Sequence, residues 1–152
     1  MHEAGFVHCD VKPANFLLGE HDRIKLIDFD ICTPISDPAD FRPPRWITAS
    51  SGYIAYEQRR KLHLDERTDI YSLGMLIHVL LTGKMRFAER LHMTVREQNE
   101  LPLVPLVRRL NADVSEGFAD LLARMLSNDK DVRPRTIPAF LEEFRSLTVF
   151  QS

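Results

Sequence analysis

The stretch from Thr68 to Thr82 constrains the fold more than any other part of this sequence. It places Ile70, Leu73, Leu76, Ile77, Leu80 and Leu81 at helical spacing and ends at Gly83, a residue suited to the left-handed position that closes a helix. Its central turns are apolar almost all round, which predicts a helix buried on several sides rather than one lying on a surface. A chain with such a helix must supply other elements to cover it. Two candidates follow. Ser115 to Leu126 carries Phe118, Leu121, Leu122, Met125 and Leu126 at helical spacing behind Ser115 as N-cap, and Pro138 to Leu147 carries Phe140, Leu141, Phe144 and Leu147 behind Thr136. Between them and the central helix, residues 84–112 read as one short helix and a connection bearing Pro102 and Pro105.

The first third has a different texture. Phe16-Leu17-Leu18 and Ile24-Lys25-Leu26-Ile27 are short apolar runs separated by the polar Gly19-Glu20-His21-Asp22-Arg23, which predicts two strands joined by a turn. Residues 31–52 hold Pro34, Pro38, Pro43 and Pro44 and no sustained period, so they read as a long loop. The expected fold class is therefore mainly α (α+β), with helices dominant and one small β-hairpin. One domain is expected over 1–147, with 148–152 as a C-terminal tail.

Charge and composition exclude several classes. The 20 Lys and Arg against 22 Asp and Glu give a net charge of −2, without the basic excess that neutralises phosphates, so no nucleic-acid partner is expected. No apolar run approaches the ~20 residues of a membrane helix, so no membrane partner is expected either. The opening MHEAGFVHCD lacks the basic and apolar regions of a secretory signal. Cys9 and Cys32 are too few for a disulfide framework and fit a reducing compartment, so the expected location is cytoplasmic. Free thiols are the default for this pair, with a regulatory disulfide as the alternative.

The chemistry concentrates in His8-Cys9-Asp10-Val11-Lys12-Pro13-Ala14-Asn15, followed by Asp28-Phe29-Asp30. Two carboxylates, an amide oxygen and an ammonium gathered at a hairpin suit phosphate and magnesium, which prefers oxygen ligands and shares them with phosphate. Each residue alone has a plainer reading. Asp10, Asn15 and Asp28 would be turn or loop residues, and Lys12 a solvated charge.

Taken together they resemble the catalytic loop of protein kinases, H-R-D-x-K-x-x-N, and the D-F-G motif that follows it. Later segments agree in order and spacing. Ala55-Tyr56-Glu57 resembles A-P-E, and Ser50 stands seven residues before Glu57 where the family carries Ser or Thr. Asp69-Ile70-Tyr71-Ser72-Leu73-Gly74 resembles the start of the long helix of the large lobe, and Arg133-Pro134 the late R-P. The Ser50–Glu57 segment, the Asp69–Gly74 helix start and Arg133-Pro134 favour the protein-kinase branch over small-molecule kinases of the aminoglycoside phosphotransferase type.

The resemblance implies a protein kinase-like fold and a Ser/Thr protein kinase using ATP and Mg2+ on protein substrates. Asp10 would be the catalytic base. Lys12 would steady the γ-phosphate, and its presence favours Ser/Thr over Tyr acceptors. Asn15 and Asp28 would hold magnesium, Ser50 would bridge Asp10 and Lys12, and Leu17 would lie under the adenine. His8 and Phe29 would stack in an internal column tied down by Asp69, while Glu57 and Arg133 would form a buried ion pair. Ala14 and Val79 stand where acidic residues would read arginine in a substrate, so a strong basic preference is not expected.

The sequence departs from the pattern in several places. No G-x-G-x-x-G occurs, and the six glycines are scattered, so only the large lobe is expected and the small N-terminal lobe is expected to be absent. The isolated chain is then expected to be a weak or inactive kinase, a truncated product or half of a split enzyme whose partner is a separate N-lobe or regulatory chain. The alternative is a non-catalytic interaction module built on a kinase frame, binding through the apolar cleft floor around Leu17. Cys9 replaces the Arg that reads a phosphorylated activation loop, Asp30 replaces the Gly of D-F-G, and Tyr56 replaces the Pro of A-P-E. His2, His21, His63 and His92 read as surface residues, and His78 as a hydrogen-bonded core residue. Trp46 reads as a loop anchor or a substrate-facing side chain.

Overall fold

The computed structural model of the chain describes residues 1–36, 52–84 and 105–151. In chain order they form β1 (Phe6–Val7), β2 (Phe16–Leu18), β3 (Ile24–Leu26), β4 (Thr33–Pro34), α1 (Tyr56–Arg59), α2 (Glu66–Thr82), α3 (Pro105–Leu110), α4 (Glu116–Met125) and α5 (Ile137–Ser146). Short 3-10 turns at His2–Ala4, Pro13–Asn15, Glu20–Asp22 and Lys130–Val132 link them. The mainly helical architecture with a small hairpin expected from sequence is the one observed. Among the described residues, no helix is long and apolar enough to cross a membrane.

The central helix α2 begins two residues before the position read from sequence, because the Asp65 carboxylate accepts from Arg67 N–H and caps it. It ends at Gly83, whose φ of 68° lets its N–H reach the Val79 carbonyl. Ile70, Tyr71, Met75 and His78 are fully buried, while Leu80, counted above on the apolar face, is 75 % exposed. The buried face is thus turned from the one that the leucines suggested. Neighbours press on it from more than one side, and polar residues that find partners go inward with the apolar ones.

Gly74 marks the tightest of these contacts. A Cβ there would stand 2.9 Å from the Met125 Cβ of α4. Gly74→Ala is therefore expected to force α2 and α4 apart at a strain of about 1–3 kcal/mol. The better helix propensity of alanine offsets about 1 kcal/mol of that. The expected net result is a melting temperature lower by about 2–4 °C, measured by thermal denaturation.

Helices α4 and α5 start where their caps put them. Ser115 Oγ accepts from Phe118 N–H, and Thr136 Oγ1 accepts from Ala139 N–H. Both helices bring aromatic rings to the core: Phe118 meets Phe144 edge-on at 5.6 Å, and Phe140 stacks on Phe144 at 5.7 Å. The stretch read as a tail pairs back on the chain. Ser115 N–H donates to the Val149 carbonyl, Gln151 N–H donates to the Asp113 carbonyl, and Val114 bridges to Phe150.

The strands form two antiparallel ribbons. In the hairpin, β2 and β3 pair Phe16 with Leu26, Leu17 with Lys25 and Leu18 with Ile24. The second ribbon joins β1 to β4, Phe6 to Pro34 and Val7 to Thr33. Its strands are two residues long, too short to leave a pattern in the sequence. Of the 31–52 loop, residues 31–36 contribute β4 and its flanks, and 37–51 lie outside the described residues, with Ser50 and Trp46 among them. Of 84–112, the short helix is α3, and His92 lies outside the described residues.

Candidate active site

The loop after β1 is held from below by a single side chain. Asp69, in the first turn of α2, accepts His8 N–H on Oδ2 at 2.8 Å and Cys9 N–H on Oδ1 at 2.9 Å. Just after those bonds the chain turns sharply, and Cys9 takes a φ of 67°, a left-handed conformation uncommon for a residue other than glycine. Gln58 secures the other side, with Nε2 donating to the Cys9 carbonyl at 2.8 Å and Oε1 accepting Ala55 N–H. Both Asp69 and Gln58 are buried. The strained peptide is therefore fixed by three long-range polar bonds.

The His8 ring completes the frame. Its Nδ1 accepts Asp10 N–H at 3.2 Å, so Nε2 carries the hydrogen and donates to the Ile27 carbonyl at 3.1 Å. The ring also packs on Phe29, with centroids 5.3 Å apart. His8 thereby ties the loop to the root of the hairpin, where the chain leaves β3.

On this frame three polar side chains converge. Lys12 Nζ donates to Asp10 Oδ2 at 2.6 Å, and Asn15 Nδ2 donates to the same oxygen at 3.1 Å and to the Asp10 carbonyl at 2.8 Å. Charge-assisted bonds of this kind are the strong ones, and they fix the orientation of the carboxylate. Asp28 arrives by register. Ile27 N–H donates to the Asn15 carbonyl at 2.9 Å, which extends the ladder one pair beyond Phe16 and Leu26 and sets Asp28 one step past the partner of Asn15.

The donors suit a magnesium ion. With Nδ2 committed to Asp10, the remaining polar atom of the Asn15 side chain is its Oδ1 acceptor, and Asp28 is exposed. An amide oxygen and a carboxylate are hard oxygen donors, the kind that magnesium takes alongside water and phosphate. Leu17 is exposed on the hairpin, as are Leu18 at 74 % and Ile24 at 66 %.

Farther out, Glu57 at the start of α1 meets Arg133 in a fully buried pair. Arg133 NH1 donates to Glu57 Oε1 at 2.7 Å and NH2 to Oε2 at 3.0 Å, while Nε donates to the Ser127 carbonyl. The guanidinium also lies 4.9 Å over the Tyr71 ring. This pair joins the segment before α2 to the segment before α5.

Two histidines depart from the surface reading. His2 is half-buried, with Nε2 2.7 Å from Asp69 Oδ2, and His63 is half-buried, with Nε2 donating to the Ser36 carbonyl. His21 is exposed and His78 buried. The sequence motifs place neither His2 nor Gln58 at the site. The only local trace is the position of Gln58, three residues after Ala55, the spacing from which a side chain reaches back to the first residue of a helix. Cys9 and Cys32 are both free thiols. Burial pushes Cys9 up to about 12 and Cys32 up as well, so neither is a ready nucleophile.

Comparison with known proteins gives a consistent result. The family model described as the protein kinase domain matches residues 1–144. The serine/threonine-protein kinase pkn3 of Myxococcus xanthus is 31 % identical, over 96 % of this chain and 28 % of its own. Serine/threonine-protein kinase PknB of Mycolicibacterium smegmatis is 30 % identical, over 89 % and 22 %, and PknB of Mycobacterium leprae is 33 % identical, over 84 % and 21 %. The chain spans about a quarter of the length of these relatives.

Proposed function

Because this chain belongs to the protein kinase family, we propose that it is the catalytic large lobe of a serine/threonine protein kinase, which transfers the γ-phosphoryl group of ATP to a protein hydroxyl. The observation that carries this reading is the Asp10 carboxylate, oriented by Lys12 and Asn15 on a loop pinned by Asp69. Such a group accepts a proton from a substrate hydroxyl as that oxygen attacks the γ-phosphorus and ADP leaves. Lys12 offsets negative charge between the attacking oxygen and the phosphoryl group. Asn15 Oδ1 and the Asp28 carboxylate would hold magnesium, which when bound supplies positive charge to the phosphate oxygens. Leu17, exposed on the hairpin, offers an apolar surface to the adenine ring.

A second reading rests on one observation, the exposed Leu17, Leu18 and Ile24 of the hairpin. Uncovered apolar surface marks interaction sites. In this reading the chain is a non-catalytic module that uses the hairpin to bind a partner, a separate small lobe or regulatory chain.

Nucleotide binding separates the two. Magnesium–ATP at 100 times its Kd is expected to raise apparent stability by about 2.7 kcal/mol. Asp28→Asn is expected to abolish the magnesium-dependent part of that shift and any phosphorylation of a protein acceptor. A wild-type chain that shows no shift at millimolar magnesium–ATP leaves only the interaction reading. A shift and activity both unchanged by Asp28→Asn would reject the assigned metal site.

A further inference from the structure

Asp69 receives a third donor besides the two loop amides. His2 Nε2 stands 2.7 Å from Oδ2, the oxygen that also accepts His8 N–H, and the other ring nitrogen, Nδ1, lies 3.8 Å from Glu66 Oε2. Both nitrogens of one ring therefore face carboxylates of α2, an arrangement that suits an imidazolium with two N–H donors. The charged groups facing His2 are Asp69 and Glu66, both from α2. The hydrogen bond to Asp69 holds His2 above its ordinary value, while burial acts in the opposite sense.

We propose that His2 is a positioning residue for the phosphoryl transfer: as an imidazolium it braces the Asp69 carboxylate under the His8–Cys9 peptide, and loss of its proton loosens the loop that presents Asp10. The functional meaning of that loop rests on the kinase reading; the coupling between His2 and the loop does not. The chain of contacts is short. His2 touches Asp69, Asp69 touches the His8 and Cys9 amides that lead into the strained Cys9, and Asp10 is the next residue. An N–H bond from a cation to a carboxylate is roughly twice as strong as a neutral one, so the brace weakens when the ring becomes neutral. A raised folded-state value means that this contribution is complete below the ordinary histidine range and is lost as pH rises through the folded value. The loop is therefore held best on the acidic side and slackens on the alkaline side.

Amide exchange in the full chain tests this without requiring turnover. Protection factors for His8 and Cys9 are measured by NMR from about pH 5.5 to about pH 9, alongside the titration of the His2 ring. Both are expected to fall roughly tenfold as that ring loses its proton. His2→Gln keeps a donor but cannot titrate, so it is expected to flatten the pH dependence. His2→Ala is expected to lower protection at every pH. Core amides such as Leu121 and Leu122 serve as the control for an intact fold. Protection at His8 and Cys9 that ignores the His2 titration, or that stays equally pH-dependent in His2→Gln, overturns the proposal. Where phosphorylation is measurable, kcat should follow the same limb while KM for ATP stays constant. A wild-type chain that neither binds magnesium–ATP nor phosphorylates anything sinks the kinase reading, and the coupling then stands or falls on exchange alone.

Discussion

Replacing Arg133 with methionine is expected to lower the unfolding free energy by about 3–5 kcal/mol, read as a drop in the urea midpoint at unchanged m-value. The size follows from what is left behind. Glu57 is buried and takes both NH1 and NH2 of Arg133, with Thr68 Oγ1 as its other donor. Remove the guanidinium and a carboxyl group remains in the interior with the Thr68 hydroxyl as its remaining donor among those described. The Ser127 and Arg67 carbonyls each lose a donor in the same step. Against a typical total of about 5–15 kcal/mol, this is a large share of the stability of the chain. The pair is not inherently stabilising, however, since burying two charges is itself expensive. Glu57→Leu combined with Arg133→Met should therefore recover much of the loss. A double variant as unstable as the single one would mean that the remaining partners, not the stranded charge, dominate.

Asp69→Ala is expected to be the next most damaging change, at about 2–4 kcal/mol by the same measurement. Two main-chain N–H bonds to a carboxylate are lost, at about 1.5–3 kcal/mol each, together with the half-buried His2 bond. Part of that returns, because the loop no longer has to keep Cys9 at a φ of 67°, a strain of about 1–3 kcal/mol. Asp69→Asn should fall between wild type and alanine. An amide can present one oxygen to one of the two N–H groups but turns an NH2 toward the other. Equal losses for asparagine and alanine would show that the two bonds act only as a pair.

Legibility followed the range of the interaction. Helices α4 and α5 were readable to within a residue at their starts, because apolar spacing and the Ser115 and Thr136 caps are local signals. The hairpin was readable because two apolar runs flank a polar turn. The exposure of Leu80 was not readable: a helix apolar on all sides carries no mark of which side faces out. The β1–β4 ribbon was too short to announce itself. Glu57 and Arg133 are 76 residues apart and no periodicity links them; only the family resemblance brought them together. The bonds from His2 to Asp69 and from Gln58 to Cys9 are also long-range and polar, and the motifs that carry the resemblance do not include them. Each becomes visible only when the fold has closed.

The hairpin has one further consequence. A free two-stranded ribbon with three residues on each strand is barely stable in water, and this one carries exposed Leu18 and Ile24 at its turn end, with Asn15 and Asp28 at its root. If Asn15 and Asp28 hold magnesium as proposed, cover over those leucine and isoleucine side chains would steady the spacing of the two oxygen donors. By thermodynamic reciprocity, a cation taken up between the donors would then strengthen the cover by the same free energy.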